Sequence, residues 1–250
     1  MNYTEVRPNV WHIEEDYRVY CTLVQGEQLA LLWDTGQGKK DLRSFVEGTV
    51  KTDYLVLNSH GHADHISGNH RFPSVLANRA DWWLIAAYER WKNSKPPSYG
   101  LEPLEAGARF DLGGLHALVV PLPGHTRGSV GLLLEEERLL LAGDALNPTM
   151  ILLGRETVPL EEFRKTLLRA EELPFDTLLA SHHPNPIGKK VVQAHLYHLD
   201  RLPEHPAAMP SPYGAKVFRS SCRTPYGVSR FQYDRRALEG GETPCYTELP

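Results

Sequence analysis

The sequence is poor in the features that mark disulfide-rich, secreted and membrane-spanning proteins. Its 250 residues include only three cysteines, which are far apart and form no C-x-x-C pair. This spacing excludes a disulfide framework and favours a reducing compartment. Apolar runs fall far short of the ~18 residues that a membrane-spanning helix needs, and the polar N-terminus shows no secretory signal. We therefore expect a cytoplasmic protein that makes no use of a membrane.

An excess of positive charge is also missing. Lys and Arg together number 27 and Asp and Glu number 31, so the formal net charge is −4. Because nucleic-acid-binding domains usually carry a basic excess, this balance favours a small-molecule substrate and argues against a nucleic-acid partner. The composition is that of an ordinary globular protein and is compatible with a homodimer.

The length corresponds to one large domain or two small ones. Predicted strands and helices alternate along most of the chain, which favours a mixed α/β sandwich with the helices outside. We assign residues 1–205 to one domain. Residues 206–250 are rich in proline, tyrosine and arginine. They form a tail that is either part of the same domain or partly mobile.

Histidine is abundant, with 12 copies, and half of them fall in three short stretches. Each stretch follows an apolar segment that we predict to be a strand. The histidines concerned are His60, His62 and His65, then His125, then His182 and His183. Asp144 follows a fourth such segment, Leu139–Ala142. Neutral imidazole is the commonest metal ligand in proteins, so the clustering at strand ends points to a metal site.

The densest stretch is the hexapeptide HGHADH at positions 60–65, which holds three imidazoles and the carboxylate of Asp64. Gly61 and Ala63 are small, so the backbone can turn tightly and several side chains can converge. Zn²⁺ takes nitrogen and oxygen ligands of these kinds. Four such groups would close one structural site, and the further candidates at other strand ends predict a larger one.

The ordered set H-x-H-x-D-H, then a distant His, then Asp, then His, resembles the metallo-β-lactamase-fold hydrolase superfamily. The likeness covers about residues 10 to 190, and Asp34 matches the aspartate that usually ends an earlier strand in this family. It implies a four-layer αββα sandwich, in which two mixed sheets are flanked by outer helices. It also implies two Zn²⁺ ions per chain, with iron or manganese as alternatives.

Carried over residue by residue, the resemblance assigns seven metal ligands. His60, His62 and His125 would hold the first ion, Asp64, His65 and His182 the second, and Asp144 would bridge both. We choose His182 over His183 because the family usually places this ligand directly after the small residue that ends the strand, here Ser181. His183 is then a residue that supports the site or contacts substrate.

The resemblance implies a hydrolase in which a metal-bridging hydroxide attacks the carbonyl of a small ester, thioester or lactone. Asp64 and Asp144 are its candidate catalytic residues, and Asp34 would hold the metal-binding loop by hydrogen bonds. Candidate substrate contacts are Arg127 and Ser129 beside His125, Tyr99 in the predicted irregular loop 93–107, and the segment 147–153.

Three other activities stay open at this point. One is a mononuclear iron dioxygenase acting on a thiol or persulfide, which would use histidines of the first group with Asp144. The others are a β-lactamase and a phosphodiesterase. The Asp64–His65 pair resembles the thioesterase and lactonase branches of the family, which is why we place the carbonyl hydrolase first.

Overall fold

The computed structural model describes residues 1–93, 96–202, 208–209 and 217–234. The strands are β1 (Asn2–Arg7), β2 (Val10–Asp16), β3 (Val19–Gln25), β4 (Leu29–Trp33), β5 (Asp53–Leu57), β6 (Ser74–Ala77), β7 (Gly100–Pro103), β8 (Arg109–Asp111), β9 (His116–Pro121), β10 (Val130–Leu134), β11 (Leu139–Gly143), β12 (Thr149–Leu152), β13 (Thr177–Ala180), β14 (Ile187–Gly188), β15 (Ala208–Met209), β16 (Val217–Thr224) and β17 (Gly227–Asp234). The α-helices are α1 (Leu42–Thr49), α2 (Ala63–Ile66), α3 (Trp82–Asn93), α4 (Leu160–Glu172) and α5 (Lys190–Leu199).

Two large mixed sheets form the centre of the fold. The first runs β1-β2-β3-β4-β5-β6-β7, antiparallel from β1 to β4 and parallel from β4 onwards. The second has the order β14-β13-β11-β10-β9-β8, and its β11–β13 pair is parallel. Parallel neighbours end at the same edge of a sheet, so the chain segments that follow these strands are brought together.

Alternation along the strands explains why helices cover both outer faces. Leu31 and Trp33 belong to the core between the two sheets, whereas Leu32 belongs to the core beneath α1 and α3. On the second sheet Leu141 faces the first sheet and Leu140 packs with α4 and α5. Because successive strand side chains point to opposite faces, each apolar strand feeds two cores. The predicted four-layer αββα sandwich is confirmed.

A third sheet, of order β12-β17-β16-β15, lies beside the second one. The sequence interpretation did not include it, because β12 pairs in parallel with β17, about 80 residues further along the chain. Met150 and Phe231 from these two strands are buried in the same core as α4 and α5. Arg230 lies on the opposite, exposed face of β17. The predicted tail, residues 206–250, thus contributes the short strand β15 and the β16–β17 hairpin, and its other residues lie outside the described ranges.

The segment 93–107 contains a strand where the sequence interpretation expected an irregular loop. Gly100–Pro103 pairs in parallel with Ser74–Ala77 and extends the first sheet by one strand. The prolines of the segment and the short length of the strand concealed it from pattern analysis, because edge strands tolerate such residues.

Within the described ranges, no helix combines the length and apolar character that crossing a bilayer requires.

The ends of strands from both sheets meet at one edge of the sandwich. The backbone N–H of Val130 donates to Ser59 O, and that of Ser181 donates to Gly143 O, at 2.9 and 3.0 Å. Gly143 has a φ of +54°, and a Cβ at this position would lie 2.6 Å from the Cβ of Ser59. Only glycine fits such a close, left-handed turn. The candidate ligands follow directly after these joined segments.

Candidate metal centre

The imidazoles of His60, His62 and His125 converge at the end of β5 and the loop after β9. His60 Nε2 lies 3.1 Å from His62 Nδ1, which lies 2.8 Å from His125 Nε2. Adjacent nitrogens around a tetrahedral zinc ion with ~2.0–2.1 Å bonds are separated by roughly 3.3 Å. The three side chains therefore already have close to the spacing of a metal-bound set, and we refer to them as the three-histidine group.

Hydrogen bonds on the outer side of each ring orient its free lone pair. Ser59 Oγ donates to Asp34 Oδ2 and so accepts from His60 Nδ1, at 2.9 Å. His125 Nδ1 donates to the carbonyl of Ile151 at 2.6 Å. His62 Nε2 faces Glu156 Oε1 at 3.4 Å. These partners orient the rings so that their inner nitrogens face one another, an arrangement that a cation between them would stabilise.

Asp64, His65 and His182 form a second group of ligand atoms, which we call the mixed group. His65 is fully buried, and its Nδ1 donates to Asp34 Oδ2 at 2.9 Å. Its Nε2 is buried without a hydrogen-bond partner in the described structure. It lies 3.7 Å from one oxygen of Asp64 and 3.7 Å from one of Asp144. An orphaned buried nitrogen between two carboxylates suits metal coordination.

Asp144 lies between the two groups. One of its oxygens is 3.5 Å from His125 Nε2 and 3.1 Å from His182 Nε2, and the other is 3.7 Å from His65 Nε2. The side chain is 8 % exposed, and Asn147 Nδ2 donates to its Oδ1 at 2.9 Å. A single carboxylate thus reaches the ligand atoms of both groups, which is the position of a bridging ligand.

The two groups differ in charge. Burial lowers the pKa of His60 well below its usual range and lowers the pKa of His125 to about 4. Burial has the same effect on His182, but hydrogen bonds to Asp144 and Asp64 outweigh it and raise the pKa of His182 to about 10. In the metal-free chain the mixed group therefore holds protons, which a divalent cation would replace.

Asp34 is the common support of both groups. Its carboxylate accepts hydrogen bonds from the backbone N–H of Ser59, from Ser59 Oγ and from His65 Nδ1, at 2.7, 2.7 and 2.9 Å. The residue is fully buried and adopts a backbone φ of +65°, a value that residues other than glycine rarely adopt. Its backbone strain is consistent with a position fixed by the loop that it holds.

Asp81 supports the site in a way that the sequence interpretation missed. Its carboxylate accepts from the backbone N–H of Gly61 and of Gly128, both at 2.9 Å, and from Thr126 Oγ1 at 2.6 Å. It therefore ties the loop of His60 and His62 to the loop of His125. Burial raises the pKa of Asp81, and these three donors oppose that effect. A lone aspartate before a helix carries no local signal of this role.

Glu156 was also missed, and Asn147 was expected only as part of the segment 147–153, although each contacts a proposed ligand. Glu156 faces His62, and Asn147 donates to Asp144. Neither belongs to a motif in the sequence. The only sequence signal was the segment 147–153 as a whole, and several of its residues do line the site.

The candidate substrate contacts are placed in different surroundings. His183 lines the cleft above the ligands, while its Nδ1 interacts with Asn185. Ser129 is buried, and its Oγ accepts from the backbone N–H of Thr126. The backbone N–H of Arg127 donates to Glu156 O. Neither Ser129 nor Arg127 is among the residues that line the cleft.

Tyr99 is not brought to the cluster. It is 7 % exposed, in the core beneath the first sheet, and its hydroxyl contacts Asn69 and Glu89 at 3.3 Å. The strand β7 follows Tyr99 directly and forms the edge of the first sheet, so this part of the segment belongs to the sheet. Tyr99, a candidate substrate contact, therefore lies in the core and does not line the cleft.

The ligands open onto a cleft of about 430 Å³ lined in part by His125, Asp144 and His182. This volume lies within the range of small-molecule sites, roughly 300–1,000 Å³. A larger cavity, of about 650 Å³, lies beside α1 and β5 and includes Arg43 and Tyr54. None of the candidate metal ligands lines this larger cavity. The candidate ligands that border a cavity all border the smaller cleft.

Curated relatives match parts of the chain. Acyl-coenzyme A thioesterase MBLAC2 of Homo sapiens is 24% identical over 167 residues, covering 53% of this chain and 60% of that protein. Atrochrysone carboxyl ACP thioesterase AgnL7 of Paecilomyces divaricatus is 31% identical over 118 residues, covering 46% of this chain and 35% of that protein. The chain thus spans between about a third and 60% of the length of these relatives.

Solved structures match more of the chain. The metallo-beta-lactamase family protein TTHA1429 from Thermus thermophilus has a TM-score of 0.62 at 21% identity, covering 92% of this chain and 99% of that one. The metallo-beta-lactamase from Pontibacter korlensis has a TM-score of 0.59 at 20% identity, covering 80% and 98%. These likenesses support the fold.

The family model described as the metallo-beta-lactamase superfamily matches residues 15–182, a span that begins in β2 and ends at the candidate ligand His182. The match covers more than half of the chain and includes each of the seven converging ligand residues. The chain therefore belongs to the metallo-beta-lactamase superfamily.

Proposed function

We propose that this protein is a dinuclear metal-dependent hydrolase that cleaves small acyl thioesters, with esters and lactones as related substrates. The observation that carries the proposal is the pair of ligand groups that share Asp144 and open onto one cleft. Structural zinc sites are usually closed by four protein ligands. Seven ligand residues beside a cleft are better suited to catalysis.

Zinc is our first choice for both positions, because imidazole and carboxylate are ligands that it accepts, with iron and manganese as the alternatives. His60, His62 and His125 would hold one ion, Asp64, His65 and His182 the other, and Asp144 both. When bound, two such cations would supply Lewis-acid chemistry, lowering the pKa of a bound water and polarising the carbonyl oxygen of a substrate.

The chain's own residues supply position and proton transfer. Asp144 is held by Asn147, so the bridging carboxylate cannot rotate freely. Asp64 is about one-third exposed, and one of its oxygens faces His182 Nε2 at 3.4 Å. We assign its carboxylate the role of orienting the attacking water and accepting its proton. The leaving thiolate needs little help in departing, because thiols are comparatively acidic.

Thioesters come first among the carbonyl substrates because two relatives carry thioesterase names. The negative net charge favours a small-molecule substrate over a nucleic acid. We place the protein in the cytoplasm, where acyl thioesters are available and free thiols are maintained. Whether it acts as a monomer or a homodimer does not alter the site, since all seven ligands come from one chain.

The test is a substrate panel combined with metal analysis. The purified protein and its His62→Ala variant are assayed on a thioester, a lactone, a phosphodiester and a β-lactam, and metal content is measured by mass spectrometry. We expect about two metal ions per chain and thioester hydrolysis that falls at least ~100-fold in the variant. One iron per chain, with oxygen consumed on a thiol or persulfide, would instead establish the dioxygenase.

Preferential hydrolysis of the β-lactam or the phosphodiester would also contradict the thioester proposal. The matched control is His70→Ala, because His70 lies on an exposed turn and its ring contacts only the carbonyl of Ser67 among the described residues. We expect this variant to keep both the metal content and the activity of the wild type.

A further inference from the structure

The cleft above the ligands is bounded on one side by the third sheet and on the other by the β2–β3 hairpin. Thr149, Ile151 and Arg230 all line it. These three share one face of the sheet, because Arg230 pairs with Thr149 and side chains alternate along each strand. Met150 and Phe231, on the opposite face, are buried in the core. The sheet therefore presents an exposed isoleucine and an arginine to the space where a substrate would lie.

The hairpin presents a second arginine at an unusual turn. Strands β2 and β3 are joined by the two residues Tyr17 and Arg18, which both have positive φ, +45° and +63°. A two-residue hairpin of this type normally has Asn-Gly or a similar pair, because larger residues are strained there. A strained turn at the edge of a site is a reason to look for a function.

Three hydrogen bonds seat this hairpin on the segment that carries His182. Tyr20 N–H donates to Ser181 O at 2.9 Å, His182 Nδ1 faces Arg18 O at 3.3 Å, and His12 Nε2 faces His183 O at 3.0 Å. The backbone of Arg18 thus helps to orient a proposed metal ligand. The same residue also lines the cleft. A glycine would keep that carbonyl and relieve the strain, so the carbonyl alone does not explain an arginine here.

Both arginines are exposed, and neither is part of an ion pair among the residues that the structure describes. Asp144, which lines the cleft, and the nearby Asp64 both face the imidazole of His182. Guanidinium groups at the rim of a site whose carboxylates are engaged are available to an anion. Arginine is well suited to this, because its planar donors match a carboxylate or a phosphate.

We infer that Arg18 and Arg230 bind a negatively charged group of the substrate, so that the cleft selects anionic thioesters over neutral ones. The inference rests on the proposed thioesterase function and adds the substrate class. Ile151 and Pro148 line the same cleft and offer apolar contact to the rest of the substrate. The anionic group is a phosphate or a carboxylate, on either the thiol or the acyl side of the scissile bond.

The test compares thioesters that carry a negative charge on the thiol side, on the acyl side, or on neither. On the thiol side, the butyryl thioester of coenzyme A carries phosphates, that of glutathione carries carboxylates, and that of N-acetylcysteamine carries no charge. A succinyl thioester of N-acetylcysteamine places the charge on the acyl side instead. We expect the wild type to prefer at least one anionic thioester over butyryl-N-acetylcysteamine by ~10-fold or more in kcat/KM. The preferred substrate identifies the source of the charge.

Arg230→Gln should lower that preference, measured as the ratio of kcat/KM values, by ~10- to 100-fold, since a lost charged hydrogen bond has that order of effect. Arg18→Gln should lower it as well. Arg18→Gly should lower it while raising Tm, because glycine accepts the positive φ. Arg223→Gln is the matched control, as Arg223 is exposed on the same hairpin as Arg230 but does not line the cleft. It should leave the ratio unchanged.

Direct binding separates this inference from the proposed function. Desulfo-coenzyme A and S-methylglutathione lack a free thiol and cannot be hydrolysed, so their affinities are measured by calorimetry for each variant. Weaker binding of one of them in Arg230→Gln, but not in Arg223→Gln, supports the anion site even if no thioester is cleaved. Equal rates on charged and neutral thioesters, with ratios unaffected by Arg230→Gln, would overturn the inference and leave the hydrolase proposal standing.

Discussion

The three-histidine group and the mixed group differ in what holds them in place. Each imidazole of His60, His62 and His125 has an outer hydrogen-bonding partner, in Ser59, Glu156 and Ile151 respectively, and burial lowers the pKa of His60 and His125. In the mixed group, His182 is about one-third exposed and depends on a 3.3 Å contact with Arg18 O. The first group resembles a rigid metal-retaining site, whereas the second is at the edge of the cleft.

This contrast suggests that the two positions bind metal with different strength. A ligand whose outer nitrogen is held by a buried partner loses less conformational freedom on binding metal. The carboxylates of the mixed group contribute negative charge instead. This charge attracts a cation, but holding the charged ligands in place before the metal binds costs more free energy than holding neutral imidazoles. We expect the ion in the three-histidine group to be the more tightly bound, and the following changes test that difference.

Asp144→Ala should have the largest effect, because its carboxylate reaches both groups. We expect metal content to fall below two ions per chain and kcat/KM on the preferred thioester to drop by about 10³-fold or more. Both are measured on the same preparation. Asp53→Ala, an exposed aspartate at the start of β5, is the control. A loss of less than tenfold in Asp144→Ala would contradict a bridging role.

His182→Ala should affect the mixed group alone. We expect metal content to fall from about two ions to about one, with a loss of roughly 100-fold in kcat/KM. The neighbouring His183→Ala is the matched variant and should retain both ions, because the ring of His183 faces Asn185. If His183→Ala loses an ion and His182→Ala does not, the two histidines must exchange roles.

Asp34→Asn should weaken metal binding without removing a ligand. An amide in place of the carboxylate cannot accept all three donors that surround Asp34, so both Ser59 and His65 lose part of their support. We expect the metal affinity to fall by ~10- to 100-fold, as measured by competition with a chelator. Asp176→Asn, an exposed aspartate paired with Arg138, controls for the change in charge. An unchanged chelator titration would remove Asp34 from the site.

Glu156→Ala should have the smallest effect of the series. It removes one contact of 3.4 Å to His62, and Glu156 is itself about one-quarter exposed. We expect the affinity of the three-histidine group to fall by ~10-fold or less, and Glu156→Gln to restore most of it, because the amide oxygen still accepts a hydrogen bond. A larger loss than that of Asp34→Asn would mean that the three-histidine group is the less rigid one.

Much of the fold was predictable from local pattern. Local pattern predicts strands over residues 29–33, 130–134 and 177–180, and the structure has the strands Leu29–Trp33, Val130–Leu134 and Thr177–Ala180. They are continuous apolar segments ended by glycine or polar residues, which is typical of buried strands. The strands β12 and β17 were not predicted, because each is stabilised by a partner distant in sequence.

The candidate site, like the fold, has a part that the sequence predicts and a part that it does not. All seven proposed ligands carry a sequence signal, because His and Asp at successive strand ends are rare by chance. The residues that support them carry less signal, because Asp81 and Glu156 are isolated polar residues and Asn147 was expected only within the segment 147–153. Tyr99 illustrates the converse, since an aromatic residue in a proline-rich segment was expected at the substrate and lies in the core.

The sequence by itself determined the donor atoms, their order and the strand ends that carry them, because these depend on residue type and on short-range pattern. Only the tertiary structure decided which nitrogen of each imidazole faces inward, that His182 rather than His183 faces Asp64 and Asp144, and which arginines line the cleft. The physical reason is that these outcomes depend on hydrogen bonds between segments that meet only when both sheets, the β2–β3 hairpin and the third sheet pack together.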